Sequence, residues 1–283
     1  MNLPQYNWWG FGKNEPPEHL KTKKQLAGLK LSPKQPVAYI DTPKYTLYLY
    51  DPSNPDSVKP KRQATPKQLA ALQKLREKQQ KRREYRDWWR CEGFIERDRA
   101  NVVQWVQKFL ETDDWVILDS ETTGLGDAEI VEIAIIGYQK ETLLNTFVKP
   151  SIPIPNDAIA VHGITDQMIA NAPTFTDIHP QIVEILDGKR ILIYNAEADR
   201  NFLNYCCKLY KLPKIKFKDR TFCLMTWYAQ WCGDYSSYWG DYRWQPLGGG
   251  HKALGDCLTA FDRLMEIAKD DPNFNLPEEF KDL

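Results

Sequence analysis

The chain has 283 residues, and its 38 Lys+Arg balance 38 Asp+Glu, so the formal net charge is zero. Six cysteines without a CxxC pair and only four histidines argue against a structural zinc site or a disulfide framework and for a reducing compartment. The start of the chain lacks the basic-then-apolar order of a secretory signal, and no apolar run is long enough to span a bilayer, which predicts a cytoplasmic protein with no membrane partner.

The charge balance hides an asymmetry. Residues 1–100 hold 21 basic and 11 acidic side chains, whereas residues 101–283 hold 17 and 27. A basic front and an acidic back suit a polyanion-binding arm joined to a cation-binding domain, although a merely solubilising arm gives the same numbers. Residues 1–64 form a Pro-, Lys- and aromatic-rich region. Within it, 18–29 reads as a short amphipathic helix, 45–50 alternates as a strand after a turn at 41–44 to give a small hairpin, and 51–64 reads as a linker. Thr65 and Pro66 supply an N-cap and a first-turn proline for a long helix, opening a basic helical arm and connector over 65–110. Residues 59–90 carry 12 basic and 3 acidic side chains. Lys78, Lys81, Arg82 and Arg83 lie in this run, and Trp88 and Trp89 close it. Basic residues beside aromatics suit nucleic acid; a solvated connector whose tryptophans pack on the next domain fits equally well.

From residue 101 the pattern becomes α/β. A helix over 102–110 precedes strands at 116–118, 129–138 and 143–148, whose short links predict an antiparallel meander. Helices near 166–170 and 175–187, a strand at 191–194 and a helix over 196–210 follow. Then come a short strand near 215–218, a helix over 221–231, an aromatic and Gly-rich loop over 233–250, and a last helix over 251–268. This order predicts a mixed sheet flanked by helices over 111–270, with a C-terminal tail at 271–283.

Within that frame four acids stand where apolar residues belong. Asp119 and Glu121 end an apolar strand and, being two apart, share one face. Asp199 and Asp256 each fall inside the apolar stripe of a helix. Buried carboxylates without a counter-charge are costly, so the group implies a cation, and oxygen donors suit Mg²⁺ or Mn²⁺. His251 sits about 140° around an ideal helix from Asp256, so it belongs before the helix start, in reach from the Gly248–Gly250 loop. There it reads as a general base rather than a ligand, with a capping or surface histidine as the plain alternative.

Taken together, Asp119-Ser-Glu-Thr-Thr-Gly-Leu125, Asn195-Ala-Glu-Ala-Asp199 and His251-Lys-Ala-Leu-Gly-Asp256 resemble the three motifs of the DnaQ-like, DEDDh-type 3′–5′ exonucleases, the group of the proofreading epsilon subunit of bacterial DNA polymerase III. Val161-His-Gly-Ile-Thr165 resembles the segment between the first two. The resemblance implies a ribonuclease H-like fold, a mixed five-stranded sheet flanked by helices, here with a basic N-terminal extension. It implies two divalent cations, Mg²⁺ or Mn²⁺, held by Asp119, Glu121, Asp199 and Asp256, with His251 deprotonating the attacking water. Thr122, Thr123, Gly124 and Leu125 would meet the terminal nucleotide, and His162 and Asn195 would line its pocket. The implied substrate is single-stranded or 3′-end nucleic acid, DNA ahead of RNA, with a proofreading or repair role beside a polymerase or repair partner. RNA hydrolysis, a non-catalytic nucleic-acid-binding module and an interaction scaffold on the basic helix are the alternatives. Ala198 and Gly255 depart from the family pattern, which favours larger residues there. The loop's Tyr235, Tyr238, Trp239, Tyr242 and Trp244 would stack on a base, shield the site or pack on the arm.

Overall fold

A computed structural model describes residues 3–10 and 12–283, which fall into two compact units, 1–80 and 81–283. The sequence-based division had placed boundaries after 64, 110 and 270.

In the first unit, β1 (Gln5–Tyr6), β2 (Lys21–Thr22), β4 (Ala38–Asp41) and β5 (Thr46–Tyr50) form one sheet, while β3 (Leu31–Pro33) pairs with β6 (Val58–Pro60). The β4–β5 hairpin was legible in the sequence. Its two outer partners and the β3–β6 pair were not, because two- and three-residue strands carry no periodicity. The expected helix over 18–29 shrinks to α1 (Lys23–Gly28), since Lys21–Thr22 joins the sheet and Thr22 closes a capping box with Gln25. Leu20, Ala38, Ile40 and Leu49 fill the small core. The chain then enters α2 (Pro66–Trp88), a helix with no buried residue.

In the second unit, one π turn (Trp89–Gly93) leads into α3 (Phe94–Phe109). No larger residue fits at Gly93, where a Cβ would lie 2.7 Å from the Trp88 ring. Tyr85, Trp88 and Trp89 pack on one another and on Phe274 and Phe280 of the C-terminal segment. The two tryptophans are therefore engaged by aromatic packing, the reading that competed with base stacking.

The sheet has the order β11-β10-β7-β8-β9. β7 (Trp115–Thr122), β8 (Ile130–Gly137) and β9 (Thr142–Phe147) form the expected antiparallel meander, and β10 (Arg190–Ile193) runs parallel to both β7 and β11 (Thr221–Cys223). This is the ribonuclease H-like mixed sheet that the motifs implied. The strand expected at 215–218 is instead an irregular stretch anchored by buried Ile215 and Phe217; the pairing falls at 221–223, opposite Ile191–Ile193. α4 (Asn156–His162) was not anticipated, and the helix expected near 166–170 is a set of turns.

Both faces of the sheet are covered. On one, Val116, Leu118, Ile191 and Ile193 pack against α5 (Phe175–Leu186) and α6 (Ala196–Leu209). On the other, Trp115, Ile117, Ala134 and Ile136 pack against α3 and α8 (Ala253–Ala268), with Leu224 of α7 (Leu224–Cys232). Every residue of β8 is buried, so it reads as an apolar run interrupted only by Glu132 rather than as an alternating pattern. Among the described residues no helix is long and apolar enough to cross a membrane.

Candidate active site

The carboxyl end of the central strand β7 is where the two helical layers meet. Side chains alternate along a strand: Ile117 faces the α8 layer, which sets Asp119 and Glu121 on that face, and Leu118 faces the α6 layer, which sets Ser120 there. Asp256 comes from the first turn of α8 and Asp199 from the first turn of α6. Asp199 thus approaches from the opposite face, and Ser120 fixes it by donating its hydroxyl to Oδ1 at 2.6 Å. Both helices point their N-termini at the site, and that partial positive charge offsets part of the carboxylate repulsion.

These side chains line one cleft of about 620 Å³ with Tyr194, Asn195, the Pro246–Gly250 loop and His251. Asp199 and Asp256 are buried and His251 is exposed at the mouth. Ligand atoms of Glu121, His251 and Asp256 lie within 4.8 Å of one another. His251 precedes α8, as the angular argument required, and is held in the left-handed region at φ +54°. Gly249 passes so close to Asp256 that a Cβ there would lie 1.7 Å from Oδ1, so no larger residue fits without displacing the carboxylate.

The electrostatics are those of a site awaiting positive charge. Burial, then the charges of Asp199 and Asp256, push Asp119 well above the ordinary carboxyl range. Burial pushes Glu121 up to about 7, with Asp256 and Glu132 adding to it. Asp199 also rises to about 7 through burial, against the pull of the Ser120 hydroxyl. Asp256 is raised by burial and partly held down by His251. Among the described residues no lysine or arginine forms an ion pair with any of the four. The nearby Lys252 ammonium is turned away, donating to the His162 carbonyl at 2.6 Å. A donor set of hard oxygens with no lysine or arginine ion pair fits divalent cations.

Two acids were read from the strand end, but a third belongs with them. Glu132 stands directly across from Glu121 in the β7–β8 ladder, beside the bulge at Glu121/Thr122. Like charges in that relation repel. Glu132 is buried and accepts the Ala253 N–H at 3.1 Å, tying β8 to the start of α8. The test that singled out the other acids, a charge inside an apolar run, applies to Ile130–Ile136 and would have found it.

The remaining sequence candidates divide. Asn195 lines the cleft; Thr122, Thr123, Gly124, Leu125 and His162 are not among its lining residues. Leu125 is 97% exposed. Thr122 turns its hydroxyl onto the Gly124 carbonyl at 2.7 Å. Thr123 is buried, exchanging hydrogen bonds with Glu129 through its amide and its hydroxyl. His162 is buried with both ring nitrogens engaged: Nδ1 accepts the Ile164 amide, and Nε2 lies 3.2 Å from the Thr122 carbonyl. With Lys252 on its own carbonyl, His162 braces the end of β7 to the start of α8. Lys78, Lys81, Arg82 and Arg83 are all exposed on α2.

Comparison with known proteins adds four findings. A family model described as "Exonuclease" matches residues 116–263. The chain is 39% identical over 187 residues to "Uncharacterized exonuclease CP81" of Escherichia phage 186, covering 60% of this chain and 95% of that one. It is 31% identical over 122 residues to the DNA polymerase III subunit epsilon of Pasteurella multocida, covering 39% of this chain and 47% of the subunit, so the likeness spans about half of that relative. A solved structure, "Exonuclease X in complex with 5' overhanging duplex DNA", is 28% identical and covers 54% of this chain and 90% of its own, with a TM-score of 0.39.

Proposed function

Because this chain belongs to the DnaQ-like exonuclease family, we propose that it is a divalent-metal-dependent 3′–5′ exonuclease that acts on DNA and releases nucleoside monophosphates. The observation that carries this reading is the convergence of Asp119, Glu121, Asp199 and Asp256 from three separate elements on one cleft, with no lysine or arginine ion pair to any of them among the described residues. Asp119, Glu121, Asp199 and Asp256 would hold two cations, Mg²⁺ or Mn²⁺, with Glu132 behind them. Bound there, such ions polarise the scissile phosphate and favour ionisation of the attacking water.

The chain's own groups do the rest. His251, exposed at the cleft mouth, takes the proton of the attacking water as general base and passes it to solvent. Ser120 keeps Asp199 in place from the far face of the sheet. Gly249 leaves room for Asp256 to approach. Asn195, Leu125 and the backbone at Thr122–Gly124 receive the terminal nucleotide, and Thr123 and His162 hold that segment in position. A role in proofreading or repair, with a polymerase or repair partner, is part of the same proposal. It draws on the epsilon likeness, which covers only part of that subunit.

Incubation with 3′- and 5′-labelled DNA and RNA oligonucleotides, in Mg²⁺, Mn²⁺ or chelator, tests this directly. The expected result is mononucleotide release from DNA 3′ ends that stops on chelation. Release from 5′ ends, or cleavage that persists in chelator, overturns it; preference for RNA moves the substrate to the second reading.

We also propose that α2 binds the phosphate backbone through Lys78, Lys81, Arg82 and Arg83. Each phosphate contact on a single strand contributes about 0.7 to the slope of log K against log salt. Neutralising all four should flatten that slope by up to about 3. An unchanged slope in binding titrations assigns the arm to something other than nucleic acid.

A further inference from the structure

Between α7 and α8 the chain makes a short ribbon, β12 (Tyr235–Ser236) paired antiparallel with β13 (Asp241–Tyr242). Its base is locked down. The Tyr235 ring meets Phe94 at 4.8 Å and Tyr242 at 5.3 Å, edge to face. Tyr242 is buried and donates its hydroxyl to Asp98 at 2.9 Å. Arg243 bridges to Asp234 at 2.7 Å across the ribbon. At the tip, Gly240 at φ +71° allows the reversal, and its amide donates to the Ser236 carbonyl at 2.8 Å.

On this fixed support the aromatic rings are turned out to water: Tyr238 is 84% and Trp239 76% exposed, set edge to face at 4.8 Å, with Trp244 58% exposed two residues past β13. Rings of this size bring the largest apolar gain of any side chain when covered. From Trp244 the same segment runs on through Pro246 and the glycines to His251, all of which line the cleft. Trp239 and Pro246 are seven Cα–Cα steps apart along the chain, a reach of at most ~25 Å, which about seven stacked nucleotides at ~3.4 Å each would span.

We propose that Tyr238, Trp239 and Trp244 form a stacking platform for unpaired bases of the strand whose end occupies the cleft. The ligand class is single-stranded nucleic acid long enough to reach from the cleft to the ribbon. Phosphate attraction does not explain the ribbon: of its charged groups, Asp234 and Arg243 neutralise each other and Asp241 is left over. A duplex keeps its base faces within its own stack, so these rings find partners only on unpaired bases, without regard to sequence. The proposal rests on the exonuclease reading for which strand is bound, not for whether the rings stack.

The test measures binding of the full chain in chelator, by fluorescence anisotropy, to oligo(dT) of about twenty nucleotides, to oligo(dT) of about three, and to a blunt duplex of the longer length. Tyr238→Ala with Trp239→Ala should weaken the long single strand about tenfold or more and leave the short oligomer and the duplex unchanged. Tyr238→Phe with Trp239→Phe should restore most of the affinity. Hydrolysis of a small nucleoside p-nitrophenyl phosphodiester should be equal in wild type and both variants, showing the cleft intact. Unchanged affinity for the long strand overturns the platform and leaves the rings to a protein partner; a loss shared by the short oligomer or the duplex overturns it too. If the wild type cleaves neither the small ester nor labelled DNA, the exonuclease reading falls, while the binding comparison still decides the platform.

Discussion

Asp119→Ala is expected to abolish nuclease activity, by at least about 10³-fold in kcat/KM, while leaving the fold intact. The magnitude follows from losing several kcal/mol of charge stabilisation at about 1.4 kcal/mol per tenfold. The fold survives because Asp119 does not hold the protein together; its charge works against it. Its carboxyl stands well above the ordinary range, and Glu121 and Asp199 reach about 7. A carboxyl with a raised folded pKa keeps a proton that the unfolded chain has released. Its contribution to stability is therefore complete below the ordinary carboxyl range and is lost as pH rises through about 7. Without metal, the melting temperature should fall as pH rises from about 4.5 to about 8. Asp119→Ala should fall less steeply, and millimolar Mg²⁺ or Mn²⁺ should recover the wild type at the upper end. Thermal melts in chelator and in metal check each part. Full activity in the variant removes Asp119 from the chemistry, and matching pH profiles mean that the cluster does not carry the strain described above.

His251→Ala should lower kcat by about 10²- to 10⁴-fold, the usual contribution of a positioned general base, with little change in metal affinity. His251 has the access such a base needs, since it lies exposed at the cleft mouth, and the Gly248–Gly250 segment holds it outside α8. Single-turnover rates against metal concentration separate the two roles. Rate loss at saturating metal is expected. If added Mn²⁺ restores the rate, His251 is a ligand, an outcome its closeness to Glu121 and Asp256 makes worth measuring. A neutral replacement that keeps normal turnover leaves proton transfer to solvent alone.

The core elements of the second unit were legible because their signals are local. β7, β8 and β10 are apolar runs bounded by turns, and α6 and α8 carry apolar stripes at helical spacing. The first unit was legible only at its hairpin. The rest of it is built from strands of two or three residues that exist because of distant partners, as Gln5–Tyr6 pairs with Tyr39–Ile40. The same distinction holds within the site. Four acids stood out because each breaks an apolar pattern, whereas Ser120 and Lys252 look ordinary in sequence and matter through a single long-range hydrogen bond each.

Sequence by itself determined which side chains are out of place: acids in apolar stripes, a histidine that must precede its helix, and a basic run ending in tryptophans. Those are properties of spacing, which the backbone periodicities convert directly into faces. Only the tertiary structure decided what each face meets. It brings Asp199 and Asp256 to the end of β7 from opposite sides of the sheet, turns His162 and Thr123 inward as braces, packs Trp88 on Phe274 and leaves Trp239 in water. The physical reason is that periodicity is set by bonds along the chain, while the partner of a face is set by which distant surface covers it.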